Sequence, residues 1–385
     1  MEKFSQAGYH TGRRRRRKHR AGESVEVSVP RVTGPRPKQV LVFRYDKIGD
    51  LLLSSPIFKA IKDHSPETKV ILVASPYNAD VLAGLEQIDR IMVYDRGWSL
   101  RRKLGFFRSL RALGPSAAFV LSPKNSAYLM AWYSGAAERG GLVPSYRRAA
   151  RLLARLFLTA EEPIDRGNPQ HHTAHILKLA ARLGYESPTP PMLQLPADPA
   201  AAARIAEVLT RHPLPQPRIL MHLGQWNRCG LAPEAVLTLC RDVAKRFPDA
   251  GMILTASEAD APFLARFRPL FDRTISTAPG AAAGESFPHT LLFTNLSFGE
   301  WAAAVGSADV VLAPDTSAVH LASARGVPVA VVFAADRRER FGREFGPWQV
   351  PFRALAGGPL AELVPQVLDA IGALLAERAG HTPPV

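Results

Sequence analysis

The sequence predicts an α/β protein made of two successive units, each with a parallel sheet. Short runs rich in Val, Ile and Leu alternate with stretches of helical spacing. The runs are continuously apolar, as strands buried on both faces are. The alternation lapses in a proline-rich stretch, 187–217, and then begins again.

Each element follows from its own pattern. Gln39–Tyr45 reads as the first buried strand, and a loop, Asp46–Asp50, leads into a helix expected over Leu51–His64. Val70–Ala74, Ile91–Tyr94 and Ala117–Leu121 read as further strands with helices between them. Residues 139–170 read as irregular, apart from an expected helix that places Arg147, Arg148, Arg151 and Arg155 on neighbouring faces. Ala174–Leu183 and the alanine-rich Pro199–Thr210 are expected as helices. In the second half, strands are expected at Arg218–Leu223, Gly251–Ala256, Asp309–Ala313 and Val327–Phe333. Helices are expected at Pro233–Phe247, Glu258–Phe267, Phe298–Ser307, Thr316–Arg325 and Leu360–Ala379. The expected division is a tail, 1–38; a first domain, 39–190; a linker, 191–216; a second domain, 217–358; and a final helix and tail, 359–385. Ligands of open α/β sheets bind beyond the carboxyl ends of the strands, so the cleft between the two units is the expected site.

Composition narrows the class. The 385 residues are 46% hydrophobic and 22% charged, which suits a globular protein with two cores. Two cysteines, Cys229 and Cys240, exclude a disulfide scaffold and fit a reducing cytoplasm. No apolar run reaches the ~18 residues of a membrane-spanning helix. The net charge is +15, and residues 1–38 hold eleven Lys/Arg against three acids. Such a block repels itself and is expected to be disordered, either merely solvated or meeting anionic lipid. Base stacking has no support, because no aromatic residues interleave the run at Arg13–Arg20; nucleic acid is not an expected partner.

Four constellations carry candidate chemistry. Arg44-Tyr45-Asp46-Lys47-Ile48-Gly49-Asp50 follows the first strand and opens a helix. Gly49 permits an unusual backbone angle or a close approach. Asp50 is a candidate general base at the mouth of the cleft, or simply a helix cap. Pro314-Asp315-Thr316-Ser317-Ala318-Val319-His320 joins a strand to a helix whose free N–H groups suit a diphosphate; equally, it is an ordinary N-cap beside a core histidine. His222-Leu223-Gly224-Gln225-Trp226-Asn227-Arg228 occupies the equivalent turn of the second unit's first strand. Arg228 there suits a phosphate, and Trp226 a base or sugar face; equally, the stretch is an ordinary surface loop. Asp336 to Trp348, rich in Arg and Gly, is placed to close over a nucleotide or to be solvated. P-loop and dinucleotide fingerprints are absent. His171, His172 and His175 form half a metal site at most, with no Glu between them, so no metal is expected.

Together these pieces resemble glycosyltransferase family 9, the ADP-heptose–lipopolysaccharide heptosyltransferases. Val40–Arg44 with Ile48–Pro56 is similar to the family's first strand, Gly-Asp loop and Ser-Pro helix. Ala313–Ala324 resembles its Asp-Thr-Gly-x-x-His-Leu-Ala-Ala signature, continued by Gly326–Phe333, and His222–Pro233 resembles its phosphate loop. His175–Gly184 resembles the helix leading out of its first domain, and the likeness spans roughly 39–350. Ser317-Ala318 stands where the family has Gly-Leu, and the basic residue before Trp-Pro is displaced, leaving Arg228 as its counterpart.

The resemblance implies the GT-B fold, two Rossmann-like domains with parallel sheets facing an interdomain cleft, and an inverting transfer needing no metal or cofactor. The implied donor is ADP-L-glycero-D-manno-heptose, and the acceptor a Kdo- or heptose-bearing lipid A core. Asp50 is implied as the catalytic base. Gln225, Arg228, Asp315, Thr316, Ser317, Ala318 and His320 are expected at the donor. Lys47, Gly49, Arg147 and Arg148 are expected at the acceptor. The protein is then expected to be a cytoplasmic monomer in peripheral contact with the inner membrane. Two alternatives stay open: a GT-B transferase with another nucleotide sugar or glycan acceptor, and a catalytically silent membrane- or nucleic-acid-associated binding protein.

Overall fold

The computed structural model describes residues 38–167, 169–257, 274–275 and 289–380. The basic segment and the helix expected over Glu258–Phe267 lie outside those residues, apart from Lys38. The strand runs assemble into two all-parallel sheets. The first joins β1 (Gln39–Phe43), β2 (Lys69–Ala74), β3 (Arg90–Val93), β4 (Ala117–Val120), β5 (Glu138–Pro144) and β6 (Ala160–Ile164) in the order β3-β2-β1-β4-β5-β6. The second joins β7 (Arg218–His222), β8 (Gly251–Ala256), β9 (Thr274–Ile275), β10 (Thr290–Thr294), β11 (Val310–Pro314), β12 (Val329–Phe333) and β13 (Phe352–Ala356) in the order β13-β12-β11-β7-β8-β10-β9. Leu41 faces Ile71 on one side of β1 and Ala118 on the other. Strand order reverses between β1 and β4 and again between β7 and β11, so a crevice opens beyond each of those strand pairs.

Right-handed crossovers dictate which face each helix covers. Helices α3 (Leu100–Ala112), α4 (Asn125–Tyr133) and α5 (Arg148–Phe157) cover the outer face of the first sheet around Phe43, Val73 and Val120. On its inner face lie α1 (Ile48–Ser54), α2 (Pro56–His64) and α6 (His172–Arg182). The second sheet turns α7 (Pro199–Arg211), α9 (Phe298–Gly306) and α10 (Ser317–Ala324) toward them. Its outer face carries α8 (Pro233–Arg246) and α12 (Leu360–Gly380). One apolar cluster runs from Leu52 through Ala318 and Val319, so the inner layers of both sheets share a core.

The helix expected over Leu51–His64 is two helices, α1 and α2, broken at Ser55; Pro56 has no N–H to continue the first ladder and serves as the opening residue of the second. The stretch 139–170 is regular rather than irregular. Gly140 and Gly141 disguise β5: a Cβ on Gly140 would lie 2.9 Å from Leu183 Cδ1, and one on Gly141 2.5 Å from Leu158 Cδ1. Helix α6 and residue 158 therefore reach the strand only because it lacks side chains there. Pro163 disguises β6, which is an edge strand and tolerates it. Residues 338–345 form a further helix, α11, within the Arg-rich segment.

Candidate active site

The site starts with Arg44, the first residue after β1, which is buried. Its Nε donates to the Asp50 carbonyl at 3.0 Å, and Nη1 donates to Asp46 Oδ2 at 3.3 Å and to the Leu121 carbonyl. Nη2 meets His172 Nε2 and lies 3.9 Å from Asp50 Oδ1. A guanidinium only donates, so His172 accepts through Nε2 and is neutral. Burial, then the Arg44 charge, hold its pKa well below the ordinary value. Burial also pushes the Asp46 carboxyl up, against the pull of Arg44. Among the described residues Asp46 Oδ1 is buried without a hydrogen-bond partner, while the Asp50 side chain is 25% exposed.

Asp50 borders a cavity of about 760 Å³ at the carboxyl ends of the first sheet's strands. Asp46, Lys47, Arg96, Lys124 and Arg147 share its wall with Tyr94. Burial lowers the Lys124 pKa. Of the residues expected at an acceptor, Lys47 and Arg147 are here. Arg148 is not among the lining residues, because α5 begins with it and it stands on the exposed helix surface. Gly49 is not among them either. Its φ is not positive, and a Cβ there would lie 2.8 Å from His320 Cδ2. Glycine is needed for the close approach of α1 to α10.

The second half meets this loop from across the crevice. Asp315 follows β11; burial raises its pKa, opposed by Arg228, Lys47 and Arg337, while the Asp50 charge adds to the rise. Residues from both sheets thus share one electrostatic neighbourhood. Thr316 caps α10, its Oγ1 accepting from the Ala318 N–H at 3.4 Å. Ser317 is half-buried, with its Cα facing Gly49. Gln225 adopts a left-handed backbone (φ 66°), and its buried Oε1 has no partner among the described residues. Arg228 is exposed beside Asp315.

Two expectations change, those for His320 and Trp226. Ala318 has its side chain in the core and its N–H at the start of α10, donating to Thr316 Oγ1 at 3.4 Å. His320 is buried against Gly49, and burial drops its pKa to about 3, so it supplies no positive charge to a diphosphate; among the described residues its Nδ1 has no partner. Trp226 is core: it is buried and its Nε1 donates to the His222 carbonyl at 2.7 Å. The end of the Arg-rich segment is packed against the first half, while Arg337 at its start lies near Asp315. Phe345 lies against His172 and Trp348 stacks on His171 at 4.7 Å, while Trp348 Nε1 donates to the Pro191 carbonyl, clasping the two halves. His175 pairs with Glu162. Among the described residues no three His, Cys, Asp or Glu gather as a metal site. Cys229 is buried and its thiol is pushed up to about 11, which removes it as a nucleophile.

Sequence reasoning missed Arg44, Asp46, Arg96, Lys124 and Arg337 as individual contributors. Arg44 carried a signal: a charge directly after four buried strand residues must find acceptors. Lys124 and Arg96 carried none, since their meeting depends on strand order.

No protein-family model and no curated protein sequence matches the chain. Solved structures do. A glycosyl transferase family 9 protein from Veillonella parvula superposes with a TM-score of 0.70 at 16% identity, covering 88% of this chain and 98% of the other. The ADP-heptose lps heptosyltransferase II of E. coli gives 0.65 at 16% identity, covering 89% and 99%. The chain has the GT-B fold. A UDP-GlcNAc 2-epimerase from Methanocaldococcus jannaschii gives 0.52 at 11% identity, covering 88% and 92%. At these identities the likeness is one of fold, and the chemistry must be argued from the residues.

Two predictions test this geometry. Arg44→Met leaves the half-buried Asp46 without its closest cation and the Asp50 and Leu121 carbonyls without their donor, and should lower stability by about 1–3 kcal/mol in urea unfolding; a loss within measurement error would show that the network contributes nothing. The second concerns pH. The folded His320 pKa is about 3, whereas an unfolded histidine titrates near ~6.5. Between these values the unfolded chain binds the extra proton. The stability is therefore full above about pH 6.5 and is lost as pH falls, by up to about 1.4 kcal/mol per unit. His172 shifts in the same direction. His320→Gln should flatten the slope between neutral and acid pH, and an unchanged slope would count against a buried neutral ring.

Proposed function

We propose that the chain is an inverting glycosyltransferase that moves heptose from ADP-L-glycero-D-manno-heptose to the Kdo- or heptose-bearing lipid A core. The observation carrying this is the meeting of Asp50, from the first sheet, with the Asp315–Ser317 turn, from the second, at both switch points of a GT-B fold. The family resemblance of those two segments supports the choice of reaction.

In this reading the acceptor occupies the cavity beside Asp50, where Lys47, Arg96, Lys124 and Arg147 suit an anionic molecule. The donor diphosphate lies at the start of α10, near Thr316 and Ser317, with Arg228 and Arg337 supplying positive charge. Asp50 takes the proton of the acceptor hydroxyl. The hydroxyl oxygen bonds to the anomeric carbon from the face opposite the diphosphate, and the electron pair of the breaking bond leaves with ADP. The sugar configuration inverts. Fixed charge and oriented N–H groups at a developing anion supply a large share of such catalysis. Arg44 orients the loop, holding the Asp50 carbonyl and lying close to its carboxylate. The reaction as proposed uses no metal, acts on the cytoplasmic side and needs one chain.

The decisive experiment offers a panel of nucleotide sugars, ADP-heptose among them, to the purified protein with a truncated lipid A core. Transfer from ADP-heptose is expected, insensitive to EDTA, and lowered by about 10²–10⁴ in Asp50→Asn. Transfer from another donor would redirect the specificity. Unchanged turnover in the variant would remove Asp50 as the base. Epimerisation of a donor without any transfer would sink the reaction class.

A further inference from the structure

The outer face of the first sheet carries a surface unlike the rest of the described molecule. Its three helices, α3, α4 and α5, contain no Asp or Glu. Helix α3 holds Arg101, Arg102, Lys103, Arg108 and Arg111, and α5 holds Arg148, Arg151 and Arg155. On other helices several basic residues pair with an acid one turn away, as in Arg343–Glu339 and Arg211–Glu207, or with one on another element, as in Arg182–Glu162. The eight on this face have no ion pair among the described residues; Arg102 and Arg111 instead lie over the rings of Trp98 and Tyr133.

The same face concentrates exposed apolar side chains. Six of the ten large hydrophobic residues exposed among the described residues lie on these helices. Leu100 is 73% exposed, Leu156 63% and Leu152 61%. Trp132 on α4, half-exposed, packs on Phe157 of α5 at 5.5 Å. Single exposed leucines are ordinary, but their concentration on one unpaired cationic face is not. Leucine and tryptophan interleaved with arginine fit a bilayer interface, where apolar groups enter the acyl boundary and guanidinium groups meet headgroup phosphates. A nucleic-acid backbone would answer the charges and leave the leucines in water.

We propose that this three-helix face docks on a bilayer surface that carries anionic phospholipid. Docking there sets the cavity mouth at the edge of the membrane contact. Each helix starts at the carboxyl end of the sheet, and the residues just ahead of them, Arg96, Lys124 and Arg147, line the cavity. The inference stands on the surface alone, so a failure of sugar transfer leaves it intact, and lipid binding alone does not establish the transferase.

The test is co-sedimentation of the full chain with phosphatidylcholine vesicles, with and without phosphatidylglycerol. Wild type should bind the anionic vesicles and release with salt. A variant carrying Arg151→Glu, Leu152→Ser, Arg155→Glu and Leu156→Ser, all at exposed positions, should partition about tenfold less or weaker still. Leu100→Ser with Arg101→Glu and Leu104→Ser on α3 should weaken binding in the same direction, which keeps the test valid if one variant misfolds by thermal melting. Folded variants that bind like wild type would place lipid contact elsewhere, residues 1–37 included. No binding of wild type to anionic vesicles would overturn the proposal. So would a self-association that the variants abolish without any lipid binding.

Discussion

The guanidinium of Arg44 has five N–H donors and is almost wholly shielded from solvent, so its protein surroundings must accept. Those acceptors come from separate parts of the chain: the Asp46 carboxylate, the Asp50 carbonyl, the Leu121 carbonyl beyond β4, and the His172 ring on α6. One side chain thereby joins the turn after β1, the strand beside it and the helix leading to the second half. Leaving such a charge unpaired in the interior costs several kcal/mol, so the loop has little freedom to carry Asp50 elsewhere.

The next constraint is the approach of α1 to α10. Gly49 lets the His320 ring into a space that a methyl group would fill, and the neutral imidazole suits a contact without water. Because Leu52 and Val319 belong to one apolar cluster, this approach is part of the core rather than a surface touch. The stacked pair His171–Trp348 adds a second clasp. The crevice at the two switch points is therefore bounded by packed elements, and Asp50, Lys47 and Asp315 face it from structure that is held in place.

Charge is distributed by function of place. Acids and bases are paired along α7 and α11, the cavity wall sets Lys47, Arg96, Lys124 and Arg147 beside Asp46, Asp50 and Asp95, and the outer helices of the first sheet carry cations without acids. The proposed acceptor cavity and the proposed membrane face are adjacent, so one half of the molecule carries the contacts for an anionic, surface-bound substrate. The other half carries the turn assigned to the donor.

Much of the fold was legible because parallel strands buried on both faces write themselves as continuous apolar runs such as Val40–Phe43 and Val329–Phe333. Strands β5 and β6 were not, since Gly140, Gly141 and Pro163 answer to neighbours that only the packed structure supplies. The loops bearing Asp50 and Asp315 were legible for a similar local reason: each follows an apolar strand and opens a helix. What the linear chain settles is this local grammar, where periodicity and turn chemistry act over a few residues. Sheet order, which brings Lys124 and Arg96 to Asp50, and burial, which neutralises His320 and takes Trp226 and Ala318 into the core, belong to the tertiary structure. They arise from contacts between residues far apart in sequence, and desolvation has no value until those contacts exist.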